Sequence, residues 1–179
     1  VLELGGSDAY LILDDADIDL AIEKCVTSRL LNNGQSCISA KRFLIAESLY
    51  GECVQKFTAA FNRKVSGDPM QPETDVGPLA RADLADELAA QVKESVRLGA
   101  VLVCGGEQTN AFYAPTVLGD VRPGMPAFDE ELFGPVAALV RVHDEEDAIA
   151  LANQSRFGLG SGVFSRDLSR ARRVAARLQ

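Results

Sequence analysis

The spacing of apolar residues changes repeatedly along this chain. Ile18, Ile22, Val26 and Leu30 recur at every fourth position, with Ala21 and Cys25 between them, which lines one face of a helix. Asp15 or Asp17 can cap its start, and Asn32-Asn33-Gly34 can end it. Leu49, Cys53, Phe57 and Phe61 mark a second helix, and Leu84, Leu88, Val92 and Val96 a third, closed by Gly99. Between these stripes stand short, largely apolar runs at residues 42–46, 101–103 and 136–142. Such runs suit strands buried on both faces. The third is the longest and the richest in β-branched residues, and reads as a central strand. Residues 115–121 read as irregular chain or an edge strand. Residues 66–77, with Pro69, Pro72 and two glycines, read as a loop. A short helix over 144–153, a short strand within 158–164 and a last helix over 167–178 complete the pattern. Helix alternating with strand implies an α/β fold, a mainly parallel sheet flanked by helices.

At 179 residues the chain suits one domain, and it can bury roughly 70% of its unfolded surface. Its net charge of −8 argues against a nucleic-acid partner, which needs clustered positive charge. No apolar run is long enough to span a membrane. The chain opens on Val1 with no basic leader and no Met, so it reads as an internal piece of a longer protein without a signal peptide. Its four cysteines form no C-x-x-C pair, and His143 is the sole histidine. The common zinc spacings are excluded, a metal site is not expected, and a reducing, cytoplasmic setting is the simplest reading. His143, beside Asp144, Glu145 and Glu146, reads as a solvated residue at a helix start, which leaves a Ser-His-Asp enzyme poorly supported.

Three segments stand apart from the core pattern. Glu3-Leu4-Gly5-Gly6 reads on its own as a strand-end turn with an exposed acid, although paired glycines also permit close approach to a ligand. Asn32-Asn33-Gly34-Gln35-Ser36-Cys37 breaks a helix and leaves Cys37 on no apolar stripe. Cys25, Cys53 and Cys104 read as core thiols, the last following a buried strand, whereas Cys37 fits a core and a reactive thiol equally. Glu130-Glu131-Leu132-Phe133-Gly134-Pro135-Val136 places two acids and an aromatic before a turn into the central strand, either as a ligand-lining segment or as a solvated loop. Gly158-x-Gly160-x-Gly162 lacks the helix that a phosphate-binding G-x-G-x-x-G loop requires.

Taken in order, Glu3-Leu4-Gly5-Gly6, Gly34-Gln35-Ser36-Cys37 and Glu131-Leu132-Phe133-Gly134-Pro135-Val136 resemble the signatures of the aldehyde dehydrogenase superfamily. Glu3 and Cys37 are separated by 34 positions, as the resemblance requires. Gly67-Asp68-Pro69, Val76-Gly77-Pro78-Leu79 and the stretch from Ala152-Asn153 to Phe157-Gly158-Leu159 extend it through nearly the whole chain. Within the superfamily, residues 37–43 and 77–88 are most similar to bacterial succinate-semialdehyde dehydrogenases.

The resemblance implies a catalytic-domain fragment over 1–179. The dinucleotide-binding domain with its oxyanion-hole asparagine, and the oligomerisation strand, would lie outside it. It further implies oxidation of an aldehyde, succinic semialdehyde in the first instance, with NAD or NADP as cofactor. Cys37 would be the nucleophile, Glu3 the base that hydrolyses the thioester, Glu131 the acceptor of nicotinamide-ribose hydroxyls, Phe133 a packing partner and Leu4 a backbone contact to the carboxamide. The intact enzyme would be a homo-oligomer and the fragment inactive alone. Another aldehyde specificity and a catalytically silent domain are the alternatives. For Lys41 and Arg42 a structural salt bridge is favoured over binding of a substrate carboxylate.

Overall fold

The computed structural model describes residues 4–179. Its elements are β1 (Asp8–Ile12), α1 (Ile18–Leu30), β2 (Ala40–Ala46), α2 (Glu47–Asn62), α3 (Ala82–Arg97), β3 (Val101–Cys104), β4 (Gln108–Thr109), β5 (Phe112–Tyr113), β6 (Thr116–Gly119), α4 (Pro126–Asp129), β7 (Val136–Val142), α5 (Glu145–Asn153), β8 (Ser161–Phe164) and α6 (Leu168–Ala175). Six strands form one sheet in the order β3-β6-β7-β2-β1-β8, and β4 pairs with β5 in a small ribbon. Every pairing in the large sheet is parallel except β3 with β6. The expected α/β architecture is therefore present.

Alternation along the strands divides the core. Phe43, Ile45 and Leu139 face α1 and α2, with Cys25, Cys53, Phe57 and Phe61. Leu44, Ala138 and Val140 face α3 and α5, with Leu88, Val92 and Ala148. Both faces of β7 are covered, which is why its sequence is an apolar run with no polar alternation. Three helices open on aspartates. Asp17, Asp144 and Asp167 accept backbone N–H groups of the first turns of α1, α5 and α6 and satisfy otherwise orphaned donors.

Four readings from spacing are corrected. β1 was not anticipated, because Gly5-Gly6-Ser7 and Asp14-Asp15 squeeze it into five residues. Residues 115–121 contain an interior strand: β6 lies between β3 and β7 and is fully buried. β3, expected to be buried, is the antiparallel edge with Val101 and Leu102 exposed, and Cys104 ends it half-buried rather than following it. In α3 the inward stripe is Ala85, Leu88, Ala89, Val92 and Ser95. Leu84 and Val96 fall outside it, because alanines supplied the face that the larger residues seemed to mark.

Candidate active site

The segments singled out by sequence meet at one edge of the sheet. Gly5-Gly6 leads into β1, Cys37 precedes β2, Glu131-Phe133 precedes β7, and residues 154–160 precede β8. All four strands are parallel, so these segments share the amino ends. Open α/β sheets more often bind ligands at the carboxyl ends, beyond a topological switch point.

The Cys37 segment is shaped by backbone geometry. After α1 the chain makes a 3-10 turn over Leu31–Gly34, with Asn32, Asn33 and Gly34 all at positive φ. Asn tolerates this region better than most side chains and Gly adopts it freely. A side chain at Gly34 would run into the Gly134 carbonyl, so the thiol loop and the loop before β7 touch through backbone. The Gly77-Pro78 segment braces the same loop. Gly77 N–H donates to Asn33 Oδ1 at 2.9 Å, Asn33 Nδ2 donates to the Pro78 carbonyl at 3.2 Å, and Ala80 N–H donates to Gln35 Oε1 at 2.8 Å. Cys37 emerges half-buried. The thiols of Cys25 and Cys53 are fully buried in the core, and burial pushes both up in pKa, Cys53 to about 11.

Glu131 is fixed from two sides. Its Oε1 accepts the Gly6 N–H at 3.0 Å and lies 3.5 Å from Lys41 Nζ. Its Oε2 accepts no hydrogen bond among the described residues. Gln91 holds the same segment, donating to the Glu131 carbonyl at 3.2 Å and to Glu130 at 2.8 Å. Glu131 and Phe133 line an open cleft of about 990 Å³ with Leu4, Gly5, Arg156 and Phe157. Leu4 is exposed there. Glu3 lies outside the described residues. Cys37 does not line this cleft. It sits behind Gly6, which has no room for a side chain against the Cys37 carbonyl.

Lys41 and Arg42 are both buried, and neither reaches the cleft. Arg42 donates to the carbonyls of Ser7, Leu151 and Ala152, each at 3.0 Å, and its guanidinium lies over Phe128 at 5.0 Å. The last two carbonyls end α5, where a cation is favoured by the helix dipole. Its structural role agrees with expectation, but its partners are carbonyls rather than a carboxylate. Lys41 does have the expected carboxylate, Glu131, together with the carbonyls of Ser36, Cys37 and Ser39 at 3.0, 3.1 and 3.2 Å. Burial, with Arg29 nearby, lowers its pKa to about 8. Arg29 is fully buried as well; it donates to the Gly34 carbonyl, while its Nε and Nη1 have no partner among the described residues. Burial disfavours its charge, and Glu131 offsets part of that cost.

Gly160, just before β8, and Gly162, inside it, are closely packed. A side chain at Gly160 would meet the Asp8 carboxylate, which accepts the Gly160 N–H at 3.0 Å, and one at Gly162 would press on the Tyr10 ring. Burial raises the Asp8 pKa, and the Gly160 N–H, Lys41 and Arg42 restrain the rise. Asp8 and Arg29, which pack beside Lys41 and Glu131, were not singled out by the sequence, and Lys41 was weighed there only as a salt bridge or a partner for a substrate carboxylate. A charge on an otherwise apolar element was the signal available for Asp8 and Arg29.

The site thus joins an α/β sheet, a half-buried thiol on a braced loop and a tethered carboxylate that lines an open cleft, the parts of a thiol-bearing α/β domain. The aldehyde dehydrogenase family model matches residues 1–179, and the chain belongs to that family. It is 51% identical over 99% of its length to a succinate-semialdehyde dehydrogenase [NADP(+)] of Deinococcus radiodurans. It is 47% identical over all of its length to a succinate semialdehyde dehydrogenase [NAD(P)+] of Escherichia coli K12. It covers 38% and 39% of those two proteins. The fold superposes with a TM-score of 0.94 on a succinic semialdehyde dehydrogenase from Streptococcus pyogenes in complex with NADP+, at 40% identity, covering 99% of this chain and 40% of that one. A salicylaldehyde dehydrogenase from Pseudomonas putida G7 gives 0.96 at 37% identity, over 100% of this chain and 37% of that one.

Proposed function

We propose that this chain is the thiol-bearing catalytic domain of an NAD(P)-dependent aldehyde dehydrogenase, and that the whole protein oxidises succinic semialdehyde to succinate. The observation that carries the reading is the convergence of the Cys37 loop, Gly6 and Glu131 at one sheet edge, through Lys41 and direct backbone contact. The residues present suit a dinucleotide. Glu131 is anchored through Oε1 and leaves Oε2 open for a ribose hydroxyl, while Leu4, Gly5 and Phe133 leave an open apolar wall beside it.

In this reading the Cys37 thiolate attacks the aldehyde carbon, and the carbonyl oxygen becomes an alkoxide on a thiohemiacetal. The Cys37 backbone N–H is one donor to that oxygen; losing an oxyanion donor typically costs on the order of 10²–10³ in rate. The bound nicotinamide would accept the hydride that leaves this carbon as the alkoxide collapses to a thioester. Glu3 takes a proton from water, the water oxygen adds to the thioester carbonyl, and the C–S bond breaks to release the acid and the thiolate. NADP is favoured over NAD by the names of the relatives. Lys41 and Arg42 are committed to carbonyls and Glu131, so the cation for a substrate carboxylate comes from other residues. The cytoplasm, with its reducing poise, suits an active thiol, and a homo-oligomer suits the family.

In the whole protein, Cys37→Ala is expected to abolish turnover. Glu3→Gln is expected to keep an initial burst of reduced cofactor and slow the steady state. Substantial activity in Cys37→Ala would sink the nucleophile assignment, and turnover confined to aldehydes without a carboxylate would replace the substrate assignment. The 179-residue chain alone is expected to bind cofactor weakly.

A further inference from the structure

We propose that Lys41 is a positioning residue that clamps the nucleophile loop to Glu131 and so fixes the orientation in which Glu131 meets the cofactor. Lys41 is the extra residue at a register shift: Asp8 pairs with Ala40 and Ala9 with Arg42, which leaves Lys41 opposite no partner. Such a bulge re-aims a side chain, and bulges gather beside functional sites. Here it turns an ammonium back under its own preceding loop. An ammonium has three N–H donors, and three carbonyls of the Cys37 loop lie within 3.2 Å of it, with Glu131 Oε1 at 3.5 Å. The Gly6 N–H holds the same Oε1. One carboxylate oxygen is thus anchored twice, and the other is left for a ligand.

The three carbonyls ask for a donor there, but not for one that also faces a carboxylate across the site. A buried charge is expensive, and a well-packed apolar side chain of similar volume is often as stable or more so. The groups facing the ammonium are Asp8 on β1, Arg29 on α1, Glu131 before β7 and the Cys37 loop. With the Lys41 pKa lowered to about 8, the clamp is charged at neutral pH and lost as pH rises through that value.

This inference rests on the reading of Glu131 as the ribose acceptor, and the experiment separates the two. NADP dissociation constants are measured calorimetrically on the whole protein in a Cys37→Ser background, which removes the thiol's own titration. Lys41→Met is expected to weaken NADP binding about tenfold, the effect of losing one charge-assisted contact. The Lys41-bearing protein is expected to weaken similarly between pH 7 and 9.5. Lys41→Arg, charged throughout, is expected to show no inflection near pH 8. If Glu131→Gln leaves NADP binding unchanged, the ribose reading fails and the proposal with it. If Glu131→Gln weakens binding while Lys41→Met does not, the clamp alone is overturned. Should Lys41→Met fail to fold, the pH profile of the Lys41 protein decides: an inflection near pH 8 supports the clamp and a flat profile overturns it.

Discussion

The two ends of the same parallel strands are built on opposite principles. At the amino ends, Arg29, Lys41 and Arg42 are buried and bond mainly to backbone carbonyls. Among the described residues, the buried side-chain atoms without partners, Ser7 Oγ, Ser39 Oγ and Arg29 Nε and Nη1, also belong to this end. At the carboxyl ends, charges stand partly or fully in solvent and pair with one another. Arg170 reaches Asp14, Asp15 and Glu145, and His143 and Arg141 reach Glu47. Buried groups cannot exchange partners with water, so each one fixes backbone position; exposed pairs can, and they fix little. The end that must hold a thiol loop and a carboxylate in register carries the costly arrangement.

If that contrast is right, the largest loss should follow from Arg42. Arg42→Ala takes the guanidinium donors from the buried Ser7 and Ala152 carbonyls, leaves the Leu151 carbonyl with the Gln154 N–H alone and uncovers Phe128, so a loss of about 3–5 kcal/mol is expected in urea unfolding. A loss under ~1 kcal/mol would mean that water replaces the guanidinium freely, and the amino end would be no more rigid than its opposite.

Lys41 offers the next test, through pH. Its folded pKa of about 8 lies below the unfolded 10.5. Between those values the unfolded chain holds a proton that the folded chain has released, so this group makes stability rise with pH. The lysine protein should gain on Lys41→Met by ~3 kcal/mol between pH 7 and 10.5. Cys25 and Cys53, raised above their unfolded pKa of 9.0, act in the opposite direction as pH climbs past 9. Both variants share them, so the difference between variants isolates Lys41. A pH-independent difference would show that the ammonium is solvated.

These residues also mark where sequence patterning was and was not informative. The helices over Ile18–Leu30 and Glu47–Asn62 followed from apolar spacing, the first also from its aspartate cap, because burial on one face imposes the period. β7 followed because burial on two faces leaves no polar alternation. β6 did not, since it is only four residues long and Pro115 and Gly119 at its ends resemble loop punctuation. At the site, residue type left each of the three motif segments with a structural alternative, and only their order and spacing, matched to a family, singled them out. Lys41 was legible only as a salt-bridge partner and Arg29 not at all, because their place beside the Cys37 loop depends on a bulge and on which carbonyls converge, which have no local signature.

The carboxyl end should respond more weakly. Arg170→Ala removes contacts to three carboxylates from a partly exposed position, and a loss of ~1 kcal/mol is expected at low salt. Most of that difference should vanish near 1 M salt, where the Debye length falls to about 3 Å. A loss that persists undiminished in salt would place Arg170 with the buried cations instead.

The smallest effect should come from His143, the residue whose type most invites a catalytic reading. Its ring is exposed, and its contact is Nδ1 to Glu47 Oε2 at 3.1 Å. Its backbone N–H donates to Asp147 Oδ2 at 2.9 Å, a bond that side-chain replacement leaves in place. Glu47 also keeps Arg141 within 3.8 Å. His143→Gln is therefore expected to change stability by no more than about 0.5 kcal/mol. In the whole protein it should leave kcat and KM for aldehyde and NADP unchanged, because the ring lies at the carboxyl end of β7 and Glu131 precedes its amino end, a seven-residue strand of about 23 Å apart. A severalfold fall in kcat with unchanged stability would couple the two ends chemically, and the division of labour drawn between them would not stand.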